Sequence, residues 1–162
     1  MIQILQEMGI LKKRRKPAPI RQSGSNKKII GYTTGVYDMF HIGHLNVLKC
    51  AKSLCDYLIV GVTTDELVKY KNKKAVISFE ERMEIIRSLK CVDAVVPQES
   101  MDKFLAWRKL KFDVMFVGDD WHDTDKWNSF EKEFEKCGVT IRYFPYTKHI
   151  SSTKLRSIVN KK

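Results

Sequence analysis

Two histidines bracket a glycine in the segment TGVYDMFHIGH, residues 34–44, and a helix-forming run follows at once. The spacing puts His41 and His44 on one side of the first helical turn, because residues three apart are neighbours on a helix surface. Gly43 lets a backbone or a phosphate approach closely. The helix start adds open N–H groups and the positive end of the macrodipole, which makes a ready anion site. Two imidazoles there can donate hydrogen bonds to a phosphate whose charge builds up in a transition state. Zinc ligation is the competing chemistry. It lacks support, since no cysteine or further histidine stands at ligand spacing, and no metal-ligating set is expected.

The elements that must position this pair follow from hydrophobic periodicity. Ile29–Thr33, Tyr57–Val62, Val92–Val96, Val114–Val117 and Val139–Phe144 read as strands, the third stopped by Pro97. Helices are expected at Ile42–Leu54, Ser78–Cys91, Ser100–Leu110, Lys126–Cys137 and Ser151–Val159. Ser78 with Glu81 forms a capping box, Met83, Ile86 and Leu89 trace one face, and Gly138 suits a C′ position. In the Ser100–Leu110 helix, Phe104, Leu105 and Trp107 are expected to face inward. Strands alternating with helices predict an α/β fold, a Rossmann-like doubly wound five-stranded parallel sheet. Ligands then sit beyond the carboxyl ends of the strands, where the histidine pair lies.

The chain has 162 residues and a formal charge of +11. That length makes one domain. The charge invites a nucleic-acid partner, but residues 1–28 hold eight bases against one acid, so most of the excess belongs to a leader. Residues 1–27 are expected to be a basic N-terminal extension and linker, and 28–162 the working domain. The leader's apolar start and basic stretch suit a solvated extension or contact with an anionic membrane surface. No run is long enough to span a bilayer. The order of the leader is wrong for a secretory signal, and the four cysteines show no CxxC spacing, which together suggest reduced thiols in the cytoplasm.

TGVYDMFHIGH resembles the signature of the HxGH nucleotidyltransferase superfamily, whose first loop reads G-T/V-F/Y-D-x-x-H-x-G-H. VTTDE (62–66), the lysine loop KYKNKK (69–74), FEERMEII, VDAVVP, GDDW (118–121) and ISSTKLR (150–156) follow in the family's order and cover residues 28–158. The chain is most similar to bacterial glycerol-3-phosphate cytidylyltransferases. Choline- and ethanolamine-phosphate cytidylyltransferases share the other motifs. The resemblance implies that the phosphate of a small alcohol phosphate attacks the α-phosphorus of CTP, carried with Mg2+, and displaces pyrophosphate. An ATP-using relative, such as an FMN adenylyltransferase or a sugar-phosphate nucleotidyltransferase, is the alternative. A phosphate monoester is already a charged nucleophile at neutral pH, so no general base is required. A non-catalytic binding module would leave the histidine pair and the serine-rich cap without a role.

The resemblance implies catalytic roles for His41, His44, Lys71 and Asp38. Nucleotide contacts are implied at Val36, Tyr37, Lys73, Tyr146, Thr147, Ile150, Ser151, Ser152 and Thr153, and substrate contacts at Lys71, Arg82, Lys103, Asp120 and Trp121. Asp38 also suits orienting backbone or a histidine around the α-phosphate, and Arg82 matches an arginine of the family that helps order the region after the lysine loop. Each residue has a plainer reading. The lysines suit a solvated flap, Arg82 a surface pair with Glu81 or Glu84, Ser151–Thr153 a helix cap, and Asp38 a turn. Trp121 suits packing. Asp119 and Asp120, following the fourth strand at the ligand edge, fit contacts to ribose or substrate hydroxyls or to a magnesium ion carried by the triphosphate. The family pattern R-T-E-G-I-S-T-T is altered here, with Tyr146 for arginine and His149 for glycine, while Lys148 offers a replacement charge. The family also implies a homodimer.

Overall fold

The computed structural model describes residues 27–70, 74–118, 125–145, 147 and 149–159. The leader to residue 26, Lys71, Lys73, Asp119, Asp120, Trp121, Tyr146 and Lys148 fall outside them, and with them the roles assigned to those residues.

Five strands form one sheet: β1 (Ile30–Gly35), β2 (Tyr57–Thr63), β3 (Ala94–Gln98), β4 (Val114–Gly118) and β5 (Thr140–Phe144). Their order is β3-β2-β1-β4-β5, and all four pairings are parallel. The helices are α1 (Ile42–Ser53), α2 (Asp65–Tyr70), α3 (Phe79–Arg87), α4 (Lys103–Leu110), α5 (Asp125–Lys136) and α6 (Ser152–Val159).

The period-2 alternation of strand side chains divides the core between the two sheet faces. Leu58, Val60 and Val62 of β2 pack with Leu48 and Ala51 of α1 and Ile86 of α3 on one face. Ile59, Met115 and Val117 pack with Phe134 of α5 and with Phe104 and Trp107 of α4 on the other. Burial on both sides explains why β2 reads as a continuous apolar run. The chain steps from β1 outward to β3, then returns to place β4 on the other side of β1. That reversal opens a crevice at the carboxyl ends of β1 and β4.

Three expectations need correction. β3 continues through Pro97 to Gln98. It lies at the sheet edge, where a proline's missing N–H is tolerated. Leu105 is exposed, because α4 starts at Lys103 behind an Asp102 cap and turns Phe104 and Trp107, not Leu105, to the core. A short helix, α2, takes in Lys69 and Tyr70 at the start of the lysine loop, where no helix was expected. The capping box at Ser78 and the left-handed Gly138 are both present.

Candidate active site

His41 is the N-cap of α1, with extended backbone, and its Nδ1 accepts the Gly43 N–H at 3.1 Å. An imidazole takes this place because the first-turn N–H groups have no partner within the helix. With Nδ1 accepting, the neutral ring carries its proton on Nε2, which becomes a donor. His44, at the third helical position, stacks on His41 with ring centroids 3.9 Å apart. It also meets Tyr37 edge-on and lies against Phe40. Its Nδ1 is buried with no hydrogen-bond partner among the described residues. Burial lowers the pKa of His41. For His44, burial and then the neighbouring His41 outweigh Asp38 and push it down to about 4. The pair is neutral at physiological pH.

The stacking depends on Gly43. A Cβ there would stand 2.8 Å from His41 Cε1 and 2.9 Å from Nδ1. The loop leading in carries Tyr37 and Met39 in left-handed backbone, at φ 55° and 48°. Non-glycine residues in that region store strain and cluster at functional sites. Tyr37 is buried, and its hydroxyl bonds the Thr33 side chain.

Asp38 is 2% exposed. Its carboxylate accepts the N–H groups of Val76 and Ile77 at 3.0–3.1 Å and the Arg156 guanidinium at 2.7 Å. Burial raises its pKa, but the Ile77 and Val76 N–H groups and Arg156 outweigh that, so the net shift is downward. The carboxylate expected to do catalytic work is therefore engaged by protein groups. It joins three segments and positions the site.

Arg82 differs from its plainer reading as a surface residue. Its side chain is wholly buried and does not pair with Glu81 or Glu84. The guanidinium donates to Ile77 O at 3.0 Å, to Val36 O and Thr63 O at 2.7 Å, and to the Asp65 carboxylate. Arginine suits this because its planar fork serves several acceptors at once. Its link to the site runs through the Val36 carbonyl at the start of the histidine loop.

The start of α6 comes up against the same loop. Ser151 Oγ accepts the Lys154 N–H at 3.1 Å, a structural cap, and Ser152 Oγ donates to Asp38 O at 2.7 Å. Thr153 and Lys154 are exposed, and Lys154 Nζ donates to His149 O. Thr147 lies beside Gly43, 3.5 Å from where a Cβ would stand. Ile150 is half-buried just ahead of the helix. The structure thus brings Val36, Tyr37, Asp38, His41, His44, Thr147, Ser151 and Ser152 around one loop. Two helix N-termini, those of α1 and α6, meet there, and each favours an anion. Lys103 is buried at the first position of α4.

Sequence reasoning missed two residues of this region. Arg156 holds Asp38, and only the helical offset of four from Ser152 hints at it. Gln98 gathers the strand ends: its Oε1 accepts from Thr34 and, at 2.8 Å, from Thr63, and its Nε2 donates to Ser100 O. A polar residue closing an apolar strand at the ligand edge was the available signal.

Known proteins are similar to this chain over most of its length. A family model described as cytidylyltransferase-like matches residues 32–158. The glycerol-3-phosphate cytidylyltransferase of Bacillus spizizenii is 37% identical over 131 residues, covering 80% of this chain and 95% of the relative. An FAD synthase of Ferroglobus placidus is 35% identical over 113 residues, covering 70% and 71%. Among solved structures, the lipopolysaccharide core biosynthesis protein from Thermoplasma volcanium is 27% identical with a TM-score of 0.64, over 76% of this chain and 100% of that one. With a family model over most of its length and a 37% identical relative covered almost end to end, the chain belongs to the cytidylyltransferase-like family of nucleotidyltransferases.

Proposed function

We propose that the enzyme joins CTP and glycerol 3-phosphate to give CDP-glycerol and pyrophosphate by direct in-line attack. One observation carries the chemistry: a neutral, stacked histidine pair at the N-terminus of α1, with the start of α6 on the same loop. Such a site suits phosphates, and the reaction requires neither a general base nor a covalent nucleophile from the chain. The site suits a reaction in which the acceptor phosphate is itself the nucleophile. The acceptor oxygen bonds to the α-phosphorus, the bond to the bridging oxygen breaks, and pyrophosphate takes the electron pair. His41 Nε2–H donates to an α-phosphate oxygen as charge grows, and His44 beside it holds the ring in place. The α6 N-terminus, with Thr147 and Thr153, receives the β- and γ-phosphates. Lys71, Lys73 and Lys103 supply charge for the two anionic reactants, and magnesium enters with the triphosphate as part of that substrate.

The choice of acceptor follows the similarity to glycerol-3-phosphate cytidylyltransferases, which extends over 95% of the Bacillus spizizenii relative. A second reading, adenylyl transfer from ATP to FMN, is favoured by the FAD synthase relatives and by Tyr146 and His149 in the altered cap segment. Pyrophosphate release decides between them. The expected result is turnover with CTP and glycerol 3-phosphate. Turnover with ATP and FMN, and none with CTP and any polyol or amino-alcohol phosphate, would establish the second reading.

A further inference from the structure

Among the described residues of α6, none is buried, and Ile158 and Val159 are more than 60% exposed. Apolar packing therefore does little to fix where its N-terminus lies. Two polar contacts do so instead, and both end on Asp38. Ser152 Oγ donates to Asp38 O, and Arg156 Nη2 donates to Asp38 Oδ2, each at 2.7 Å. Residues four apart share a helix face, so both grips fall on the side turned to the histidine loop. The Asp38 side chain is 3% exposed, and that of Arg156 is 33%. A pair with one sealed partner is screened far less than a surface pair. Asp38 itself is fixed by the Val76 and Ile77 N–H groups, so Arg156 grips a rigid post.

We infer that Arg156 is a positioning residue that docks the α6 N-terminus against the His41–His44 pair, setting the rate of transfer more than the affinity for nucleotide. The inference rests on the proposed span of the triphosphate across both helix N-termini. Ground-state binding tolerates a small displacement of one anchor, whereas in-line transfer does not. A misplacement of about 1 Å can cost roughly 100-fold in rate.

The test uses the full-length protein with Arg156→Met and Arg156→Lys. Wild-type turnover with CTP and glycerol 3-phosphate is measured first. If the wild type uses only ATP and FMN, the substrate reading fails, and the same variants are compared on that pair. Arg156→Met should lower kcat by roughly 10- to 100-fold and leave the equilibrium affinity for the nucleotide within about threefold. Arg156→Lys should recover most of the rate, since one ammonium can replace a single Nη2 contact. By hydrogen exchange, α6 amides of Arg156→Met should open faster while β1 and β4 keep their protection. An unchanged kcat, a loss confined to nucleotide affinity, or no recovery with lysine would overturn the assignment. Loss of protection throughout the sheet would also overturn it, because Arg156 would then hold the fold and not the helix.

Discussion

The imidazole rings of His41 and His44 lie face to face, 3.9 Å between centroids and 23° from parallel. Two cations cannot share that spacing cheaply, so protonating one ring opposes protonating the other. The Gly43 N–H fixes the His41 tautomer, and burial keeps His44 neutral. In the proposed reaction the pair therefore meets the phosphates as neutral rings rather than as positive charges.

A neutral pair has a pH signature. The His44 pKa is about 4 in the folded protein, against about 6.5 in the unfolded chain. Between those values the unfolded chain binds the extra proton, so stability falls as pH drops below about 6.5 and this loss levels off below about 4. NMR of the free enzyme should show His44 neutral at pH 5. A His44 midpoint near 6.5 would refute this. Turnover should still decline below about pH 6, because the acceptor phosphate then takes up its second proton.

The cap and the chemistry of His41 can be separated. His41→Asn keeps an N-cap residue of the best class, so stability should change by less than about 1 kcal/mol. It removes the Nε2 donor, and loss of one such donor costs roughly 100- to 1,000-fold in rate. Thermal melting and turnover measured on the same preparation check both halves. A variant with normal turnover would remove His41 from the catalytic role.

Much of this site was legible because local chemistry announces it. The HxGH spacing, the Ser78 capping box and the β2 apolar run each state their structure within a few residues. The roles of Asp38 and Arg82 were not legible in the same way. Their partners lie far along the chain, Arg156 at 118 residues from Asp38 and Val36 at 46 from Arg82. A charged residue in a sequence gives its type but not its burial or its partners, so the orienting reading of Asp38 and the ordering reading of Arg82 could be stated without the groups they tie together. Pro97 misled for a related reason, because edge position is a property of the assembled sheet.

Gly43→Ala should separate stability from activity. Alanine is the better helix former, but loss of the His41 cap offsets that gain, so the melting temperature should stay within a few degrees of the parent. The new Cβ would crowd the His41 ring at 2.8 and 2.9 Å. The ring must then swing away, losing the Gly43 N–H bond and the stack on His44. Turnover should fall at least tenfold in a protein that melts normally. Retained activity would show that the observed ring position is not required.

Arg82→Met should act on stability before chemistry. The guanidinium joins three carbonyls and the Asp65 carboxylate within a wholly buried site, and methionine satisfies none of them. Breaking such a network typically costs about 3–5 kcal/mol, because the abandoned partners stay buried. For a chain of this size that corresponds to a melting temperature lower by roughly 6–20 °C. Lysine should not rescue it, since one ammonium cannot reach acceptors on Val36, Thr63 and Ile77 together. Saturating nucleotide should recover part of the loss by mass action, because it binds the folded state. A melting temperature within about 2 °C of the parent protein would contradict the structural role and return Arg82 to the list of substrate contacts.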